Sequence, residues 1–503
     1  MLTQNSLWHS VITNYIGQVY VAIIGIAMIP IYIHYMGIEA YGVIGFLTTL
    51  QAWMSLLDFG LAPTLGREAA RHKAGIIQTK KLHQFITLIE KFFLATGVVL
   101  LIFSTMVSKW IAVHWLNLGS LNIDQVAICI PVTGLMISVR LGAAGYRSAL
   151  QGLEHQVKAN ILLIIFTTIR SVFVVVIFVY LSSSILVFLT FQLAVSAVEL
   201  MYLRRALTLS IPKKKIGIAP TDLTSIPFVF LKGMAFLYLM GVTFSQIDKL
   251  ILSHILSIKE YAQFMLGATL AMGINLIATP LQQAVLPRMT ILVELEKLDQ
   301  LISLYRLTTR FLLAGIAGIA SVLIAFPAQV LFVLTGDELL SKQSAEVLRW
   351  YAAGTALMSL TGMPYLLQQA FGKLDLHIKA SLISLSIFVP AVVFSTSYYG
   401  GEGAARAWMC LNFFSLLIFS PIVHSRYAKG IAVKWLINDI LPTVALVAAW
   451  SFLASALTWN LTERLNSGII LIILGGAISL VTLGIFRDTR QMLINVVQKI
   501  IRN

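Results

Sequence analysis

The apolar residues of this sequence gather into long runs, and short polar segments separate one run from the next. Most runs contain about 20 residues, the length that an α-helix needs to cross a membrane's hydrocarbon core. No long stretch alternates apolar and polar residues, which argues against a membrane β-barrel. The pattern predicts an all-α, polytopic membrane protein with about fourteen transmembrane helices, at residues 10–34, 41–63, 82–108, 124–148, 158–181, 184–205, 226–254, 261–287, 307–335, 346–371, 379–399, 403–425, 437–459 and 467–486.

Lysine and arginine concentrate in every second connection between the predicted helices. Residues 67–81, 204–215 and 426–434 are examples of these basic connections. The intervening connections contain few basic residues, chiefly Lys109, Lys259, Lys342 and Arg464. Because an excess of Lys and Arg marks the cytoplasmic side, we expect both termini in the cytoplasm and an even number of helices.

Composition agrees with this topology. Hydrophobic residues make up 58% of the 503 residues, charged residues make up 11%, and the mean hydropathy is +0.88. Soluble domains contain about a quarter charged residues. The formal net charge of +15 could suggest a nucleic-acid partner, but the basic residues lie in short connections, where membrane topology explains them. We therefore expect membrane lipids, and no nucleic acid, as partners.

The longest basic connection divides the first six predicted helices from the next six. It contains Pro212, three consecutive lysines from Lys213 and Pro220, a composition typical of a linker. The predicted organisation is an N-terminal six-helix bundle at 1–205, a cytoplasmic linker at 206–225, a C-terminal six-helix bundle at 226–425, and two extra helices with an amphipathic cytoplasmic tail at 426–503.

The two bundles show a weak internal repeat. An ungapped comparison of residues 38–61 with residues 258–281 aligns six identical positions, among them Tyr41 with Tyr261. An even number of predicted helices separates the two segments, so they have the same orientation. This arrangement predicts pseudo-symmetric, parallel repeats about an axis along the membrane normal.

Motifs for catalysis or nucleotide binding are missing from the sequence. Gly372-Lys373 is followed by Leu374 and forms no phosphate-binding loop. The histidines and cysteines are scattered and show no metal-ligand spacing, and the predicted external connections are short. We predict a secondary transporter with no catalytic residue, no metal site and no cofactor.

Charged residues inside the predicted helices are the strongest functional signal, because each costs about 2.5–3.5 kcal/mol to insert into a membrane. Arg170 is predicted near mid-depth, while Glu90, Lys91, Arg140 and Asp58 are predicted in the inner half. Four further residues lie closer to helix ends, where long side chains reach the interface; these are Arg147, Lys232, Arg310 and Arg406.

Two interpretations of these charges remain open. Arg140 and Arg170 either form buried pairs that fix helix packing or line a hydrated cavity. A cationic cavity would attract an anion from the cytoplasmic side, and guanidinium groups match phosphate oxygens. The predicted substrate-binding residues are Lys91, Arg140, Arg170, Arg147, Lys232 and Arg310.

Carboxylates near such a cavity could couple transport to a proton or sodium gradient. Asp58 lies in the second predicted helix, and Glu90 could pair with Arg140 or Arg170. Asp248 stands beside Lys249, where a local pair or an interfacial anchor is the alternative. The ion-coupling candidates are Asp58, Glu90 and Asp248.

Two stretches carry a family resemblance. Tyr35–Gly42, Leu57–Leu61 and Arg67-Glu68 resemble the start of the O-antigen flippases (Wzx type), and Asp248–Ser253 resembles a later part of them. These flippases form part of the polysaccharide transporter branch of the multidrug/oligosaccharidyl-lipid/polysaccharide exporter (MOP) superfamily.

The resemblance implies a V-shaped pair of six-helix bundles that opens alternately to each side of the bacterial inner membrane. It implies a substrate, the undecaprenyl-diphosphate-linked O-antigen repeat unit of lipopolysaccharide biosynthesis, and a partner, the O-antigen polymerase machinery. Family members often have twelve helices. Fourteen would match the flippases of lipid-linked peptidoglycan precursors in number.

Three alternatives stay in view. A peptidoglycan-precursor flippase also moves a prenyl diphosphate. A cation-coupled multidrug exporter of the same superfamily would need carboxylates without this many basic residues, so the sign of the charge argues against it. An enzyme that polymerises O-antigen units would need a substantial external loop, which the short connections do not supply.

Overall fold

The computed structural model describes residues 4–211, 228–455 and 464–491. Its regular elements are helices, joined by short connections. In chain order the α-helices are α1 Gln4–Met36, α2 Ile38–Met54, α3 Leu61–Lys73, α4 Thr79–Trp110, α5 Ile123–Gly152, α6 Gln156–Tyr180, α7 Ile185–Ser210, α8 Phe228–Ile255, α9 Ile258–Met272, α10 Asn275–Glu294, α11 Leu298–Ala325, α12 Pro327–Thr335, α13 Glu338–Ala370, α14 Asp375–Phe414, α15 Ser420–Tyr427, α16 Ala432–Lys434, α17 Leu441–Ser455 and α18 Arg464–Ile485. A 3₁₀ turn at Ser55–Asp58 and π-helical turns at Ile111–Trp115, Ser415–Phe419 and Trp435–Ile440 complete the set.

The chain divides into two compact units, Met1–Ala262 and Gln263–Asn503. Helix α9 contains the division. The predicted linker at 206–225 falls mainly on residues 212–227, and the end of the predicted tail falls on residues 492–503. Both stretches lie outside the described residues. The predicted boundaries at 205, 225 and 425 therefore stay predictions.

Eleven helical stretches among the described residues are long and apolar enough to cross a membrane. The prediction of an all-helical membrane fold is confirmed, while the count of fourteen stays a prediction. One stretch, Asp375–Tyr427, covers two of the predicted helices. It is interrupted at Gly400, whose φ of 56° and ψ of −145° are not helical. Helix α13, predicted at 346–371, does not qualify as one of the eleven.

The second predicted helix, residues 41–63, does not continue unbroken. Helix α2 ends at Met54, and Phe59 and Gly60 adopt left-handed conformations, with φ of 48° and 77°. Glycine adopts this conformation without the steric cost of a Cβ atom. The Asp58 carboxylate accepts a hydrogen bond from the Ala62 N–H, with an Oδ1–N distance of 3.1 Å, and so satisfies a free donor in the first turn of α3.

Helix α5 is central to the first unit and packs against α3, α4 and α7. Small residues permit these close approaches, as expected between membrane helices. A Cβ atom on Gly152 would lie 2.0 Å from the Gly66 carbonyl oxygen, so neither backbone could remain in place if Gly152 were alanine. The apolar core around α5 includes Leu65, Ile89 and Leu203. This packing fixes α5 and α7 beside each other, and both carry charged residues on their facing sides.

Helix α11 has the corresponding position in the second unit, where it packs against α10, α13, α17 and α18. Its Gly318 meets Gly475 of α18, where a Cβ atom on Gly318 would lie 2.4 Å from the Gly475 carbonyl oxygen. A buried chain of polar contacts runs beside it. The Tyr305 hydroxyl lies 2.8 Å from His424 Nε2, and Trp435 Nε1 donates to Thr309 Oγ1 at 3.0 Å.

Candidate functional site

A cavity of about 450 Å³ lies in the first unit, beside the break between α2 and α3. Its polar lining comes from Gln51, Ser55, Asp58, Arg140 and Tyr238, and small or apolar residues complete it. Two residues that the sequence singles out, Asp58 and Arg140, therefore share one cavity wall. The Ser55 and Tyr238 hydroxyls are 2.9 Å apart, so α8 also contributes to this wall.

The Arg140 guanidinium makes its hydrogen bonds to neutral groups. Its Nη1 donates to Gln51 Oε1 at 2.6 Å, its Nη2 to Gln192 Oε1 at 3.4 Å, and its Nε to Ser196 Oγ at 3.4 Å. Within the described part of the chain, Arg140 is in no ion pair. It therefore brings to the cavity a positive charge that has no direct ion-pair partner among the described residues.

Two further arginines share one carboxylate. Arg147 Nη2 donates to Glu199 Oε1, and Arg170 Nη2 donates to Glu199 Oε2 at 2.5 Å. Glu199 is 3% exposed, whereas the side chains of Arg147 and Arg170 are 25% and 20% exposed. Gln192 links this group to Arg140, because its Nε2 donates to the Arg170 carbonyl oxygen at 3.2 Å. We call Arg140, Arg147, Arg170 and Glu199 the first-unit cluster.

The first-unit cluster holds more positive than negative charge. Three guanidinium groups face a single carboxylate, which leaves two positive charges in excess. The Nε atoms of Arg147 and Arg170 are buried and have no hydrogen-bond partner among the described residues. Excess charge and unused donors together are the properties of an anion-binding site.

Sequence reasoning missed Glu199 because it lies near the basic end of its predicted helix, where a carboxylate looks interfacial. A signal was present in the spacing. Gln192, Ser196 and Glu199 are separated by four and three residues, which places them on one face of α7. All three are buried. A polar stripe on an otherwise apolar helix points to a partner on a neighbouring helix.

Two other predicted residues of the first unit, Glu90 and Lys91, form no ion pair with this cluster. Glu90 accepts from the Tyr146 hydroxyl at 2.5 Å and from Arg204 Nε at 3.0 Å, so its cationic partner is Arg204 and not Arg140 or Arg170. Lys91 is exposed on α4. The side chain of Lys232 lies outside the described part of the structure.

Asp248 and Lys249 form a buried local pair on α8. The Lys249 Nζ lies 3.3 Å from Asp248 Oδ1 and donates to the Ser245 carbonyl oxygen at 2.7 Å. The side chains are 1% and 6% exposed. Of the two structural alternatives named above, the structure shows the local pair.

Arg310 belongs to the second unit and is fully provided with counter-charges. Its Nε donates to Asp439 Oδ1 at 2.9 Å and its Nη1 to Asp488 Oδ2 at 2.5 Å. Arg306 makes two hydrogen bonds to Asp439, at 2.6 and 3.0 Å. We call Arg306, Arg310, Asp439 and Asp488 the second-unit cluster. Its two positive and two negative charges balance.

The described residues contain no group of three or more His, Cys, Asp or Glu side chains arranged to hold a metal ion. His424 contacts Tyr305 and Trp435 and is part of the second unit's buried core. The charged groups of the first-unit cluster are three guanidinium groups and one carboxylate.

A comparison with protein families places the chain in one of them. Residues 7–293 match the family described as polysaccharide biosynthesis protein. Among solved structures, the chain resembles the lipid II flippase MurJ in an inward closed conformation, with 15% identity, a TM-score of 0.67, and 95% of this chain and 99% of that chain covered. No curated protein matches the chain in sequence.

Two further similar structures are transporters. One is the MATE multidrug transporter DinF-BH, with 16% identity, a TM-score of 0.63, and 86% of this chain and 97% of that chain covered. The other is a MOP superfamily transporter from Pyrococcus furiosus, with 16% identity, a TM-score of 0.57, and 84% and 96% covered. At these identities the similarity establishes the fold. The chain is a multi-pass membrane protein with an architecture that a lipid flippase and multidrug transporters share.

Proposed function

The chain belongs to the polysaccharide biosynthesis protein family of the MOP superfamily, and we propose that it is a flippase for a lipid-linked oligosaccharide. The substrate is an undecaprenyl-diphosphate-linked O-antigen repeat unit, which moves across the bacterial inner membrane by alternating access. The observation that carries this proposal is the excess of two positive charges in the first-unit cluster.

A diphosphate that links a prenyl chain to a sugar has one negative charge on each of its two phosphates, which balances this excess. Guanidinium groups form paired hydrogen bonds to phosphate oxygens, and such charge-assisted bonds are about twice as strong as neutral ones. Arg140 lines the cavity, Gln192 connects it to the partly exposed Arg170, and Glu199 connects Arg170 to the partly exposed Arg147. We assign the diphosphate to these three arginines.

Fourteen helices with both termini in the cytoplasm are predicted from the apolar runs and the distribution of basic residues. The family resemblance implies two bundles in a V shape that open to either side, while the prenyl chain stays in lipid. Lys91 and Lys232 contribute further positive charge to the first steps of substrate binding. Asp58, on the cavity wall, is the candidate for coupling to a proton or sodium gradient.

Two alternatives have observations in their favour. A peptidoglycan-precursor flippase shares the diphosphate chemistry, and the similarity to the lipid II flippase MurJ extends over 95% of the chain. A cation-coupled multidrug exporter is favoured by the similarity to the MATE transporter. The excess positive charge argues against the exporter, because it would repel a cationic drug.

The decisive experiment measures the movement of fluorescent lipid-linked substrates in vesicles that contain the purified protein. We expect translocation of a prenyl-diphosphate-linked O-antigen unit and a large loss of rate in Arg170→Gln. The matched control is Arg349→Gln, which removes an arginine of α13 that pairs with Glu346 at 2.5 Å. Equal rates for Arg170→Gln and the wild type would disprove the site assignment.

Deletion of the gene separates the alternatives in cells. Loss of long O-antigen chains in viable cells, with accumulation of the lipid-linked unit, is the expected result. Lysis would identify a peptidoglycan-precursor flippase instead. Drug sensitivity with an unchanged cell envelope would identify an exporter.

A further inference from the structure

Glu199 forms ion pairs with Arg147 and Arg170, the two arginines to which we assign a phosphate group together with Arg140. Each of its carboxylate oxygens accepts from a different guanidinium, Oε1 from Arg147 and Oε2 from Arg170. The carboxylate is 3% exposed and lies behind the two more exposed guanidinium groups. A carboxylate and a phosphate use the same guanidinium donors, so Glu199 and an incoming phosphate compete for them.

The competition depends on charge. Glu199 supplies one negative charge to a cluster with three arginines. Because its carboxylate is part of the chain, it is always next to the arginines. An anion with only one charge therefore cannot compete well for the same guanidinium donors. A phosphate diester has one negative charge, whereas a diphosphate diester has two and more acceptor oxygens. The second charge can also engage Arg140, whose hydrogen bonds all go to neutral groups.

We propose that Glu199 is an internal counter-anion that a diphosphate displaces and a monophosphate does not. This inference rests on the proposed function and adds a selectivity device to it. The residue pairs with Arg147 and Arg170 when the site is empty, yields them to the diphosphate, and pairs with them again when the substrate leaves. Glu199 is thus a specificity-determining and resetting residue of the site.

A carboxylate with only a structural role is expected in a cluster whose charges balance. In the second-unit cluster, Asp439 is 0% exposed and its two arginines are balanced by Asp439 and Asp488 together. The first-unit cluster keeps excess charge and leaves the Nε donors of Arg147 and Arg170 without partners among the described residues. Such an arrangement is incomplete until an anion of higher charge enters.

The experiment compares two lipids that differ only in the linker, undecaprenyl-diphospho-N-acetylglucosamine and undecaprenyl-phospho-N-acetylglucosamine. Binding of each is measured to the purified full-length protein in lipid nanodiscs. We expect the wild type to prefer the diphosphate by about tenfold or more. Glu199→Gln should bind both lipids more tightly, gain most for the monophosphate, and lose most of the preference. Its translocation rate in vesicles should fall, because the substrate is no longer displaced by the carboxylate.

A second variant keeps the test valid if Glu199→Gln does not fold. The double variant Glu199→Gln/Arg147→Gln also lacks the carboxylate. It keeps two positive charges in excess, those of Arg140 and Arg170. This double variant should also lose the preference for diphosphate. The matched control is Glu402→Gln, which removes a carboxylate paired with Arg406 in the second unit and should retain the wild-type preference.

The outcomes distinguish this inference from the proposed function. If both Glu199 variants keep the wild-type preference, Glu199 does not set selectivity, and the flippase proposal is unaffected. If Glu199→Gln binds the diphosphate more weakly than the wild type, Glu199 only orients the arginines and the inference is wrong. If the wild type binds neither lipid, the proposed function itself fails.

Discussion

Each of the two compact units contains an arginine–carboxylate cluster, and the two clusters differ in their balance of charge. The first-unit cluster has three arginines and one carboxylate, and Arg140 lines a cavity. The second-unit cluster has two arginines and two carboxylates, and Asp439 at its centre is completely buried. The number of arginines within apolar helices is therefore a poor guide to function. The charge that remains after pairing is a better one.

The surroundings of the two clusters follow the same division. Beside the second-unit cluster lie the buried Tyr305–His424 and Trp435–Thr309 hydrogen bonds, which hold α11 against the segment around Asp439. Within the first-unit cluster, the uncharged Gln192 links Arg140 to Arg170. A balanced cluster within rigid packing fixes helices, and an unbalanced one beside a cavity is suited to receive an anion.

The largest expected effect is on stability and concerns Asp439→Asn. This change leaves Arg306 and Arg310 without their buried counter-charge, and breaking a buried ion pair costs about 3–5 kcal/mol. We expect a large fall in the thermal unfolding midpoint of the purified protein and a reduced folded yield. Unfolding followed by intrinsic fluorescence in detergent measures the shift.

A triple variant tests whether lost charge balance is the cause. Replacing Asp439 with leucine together with Arg306→Met and Arg310→Met removes the whole buried group, and such replacements are often neutral or stabilising. The triple variant should recover most of the unfolding midpoint and retain translocation. Loss of translocation in a stable triple variant would mean that the second-unit cluster also binds substrate. The distinction between a structural and a substrate-binding cluster would then be wrong.

The next effect in size is on binding and concerns Arg140→Gln. Loss of one charged hydrogen bond to a phosphate costs about 1.5–3 kcal/mol, or roughly ten- to a hundredfold in affinity. Stability should fall by about 1–3 kcal/mol at most, because the change removes hydrogen bonds to Gln51, Gln192 and Ser196 but leaves no carboxylate without an ion-pair partner. Affinity for a prenyl diphosphate and the unfolding midpoint, measured on the same preparation, check both parts.

The opposite pattern would overturn the assignment of Arg140. A variant that binds normally but unfolds early would make Arg140 a packing residue of the kind that the second-unit cluster contains. Arg349→Gln is the control, since it removes an arginine of the second unit whose ion pair lies within its own helix and whose Nε donates to the Ile324 carbonyl oxygen of α11.

A smaller effect is expected at Asp58, which combines a structural contact with a position on the cavity wall. Its carboxylate accepts from the Ala62 N–H, and loss of such a contact at a helix start costs about 1 kcal/mol. Asp58→Ala should therefore lower stability by about that amount, while Asp58→Asn keeps an acceptor oxygen and most of the stability. If Asp58 couples transport to protons, Asp58→Asn should lose the response of translocation to a pH gradient. An unchanged response would remove Asp58 from the coupling mechanism.

Much of the architecture could be predicted from the sequence because membrane helices are specified locally. A run of about 20 apolar residues is sufficient to indicate a helix, and the all-helical membrane fold is confirmed. The break at residues 55–60 is less visible, since Ser55, Asp58 and Gly60 are isolated within an otherwise apolar run and none of them alone predicts the end of a helix. The helix bounds of α2 depend on that turn and on the Asp58 contact with α3, which no periodicity predicts.

The charged residues show where sequence reasoning ends. Arg140, Arg147 and Arg170 could be selected because charge inside an apolar run is costly in itself. Their balance could not be predicted, because the sequence does not show which side chains of neighbouring segments meet: Glu199 contacts arginines of α5 and α6, and Asp439 contacts arginines of α11. From the sequence, Arg310 and Arg147 are equivalent: each is an arginine near a helix end. Only the packing of α11 beside Asp439 and of α5 beside Glu199 separates a compensated residue from one in a cluster with excess charge.

The smallest expected effect concerns Asp488→Asn, at the edge of the second-unit cluster. Asp488 is 61% exposed, and exposed ion pairs contribute about 0–1 kcal/mol. The unfolding midpoint should therefore change little, far less than in Asp439→Asn, even though both carboxylates contact Arg310. The variant also leaves the second-unit cluster with one positive charge in excess, so that its net charge is positive like that of the first-unit cluster. If net charge alone created an anion site, Asp488→Asn should bind a prenyl diphosphate at a second position, visible as a stoichiometry above that of the wild type. We expect unchanged stoichiometry, because Asp439 still holds both arginines in buried contacts and the asparagine keeps a carbonyl oxygen that can accept from Arg310 Nη1.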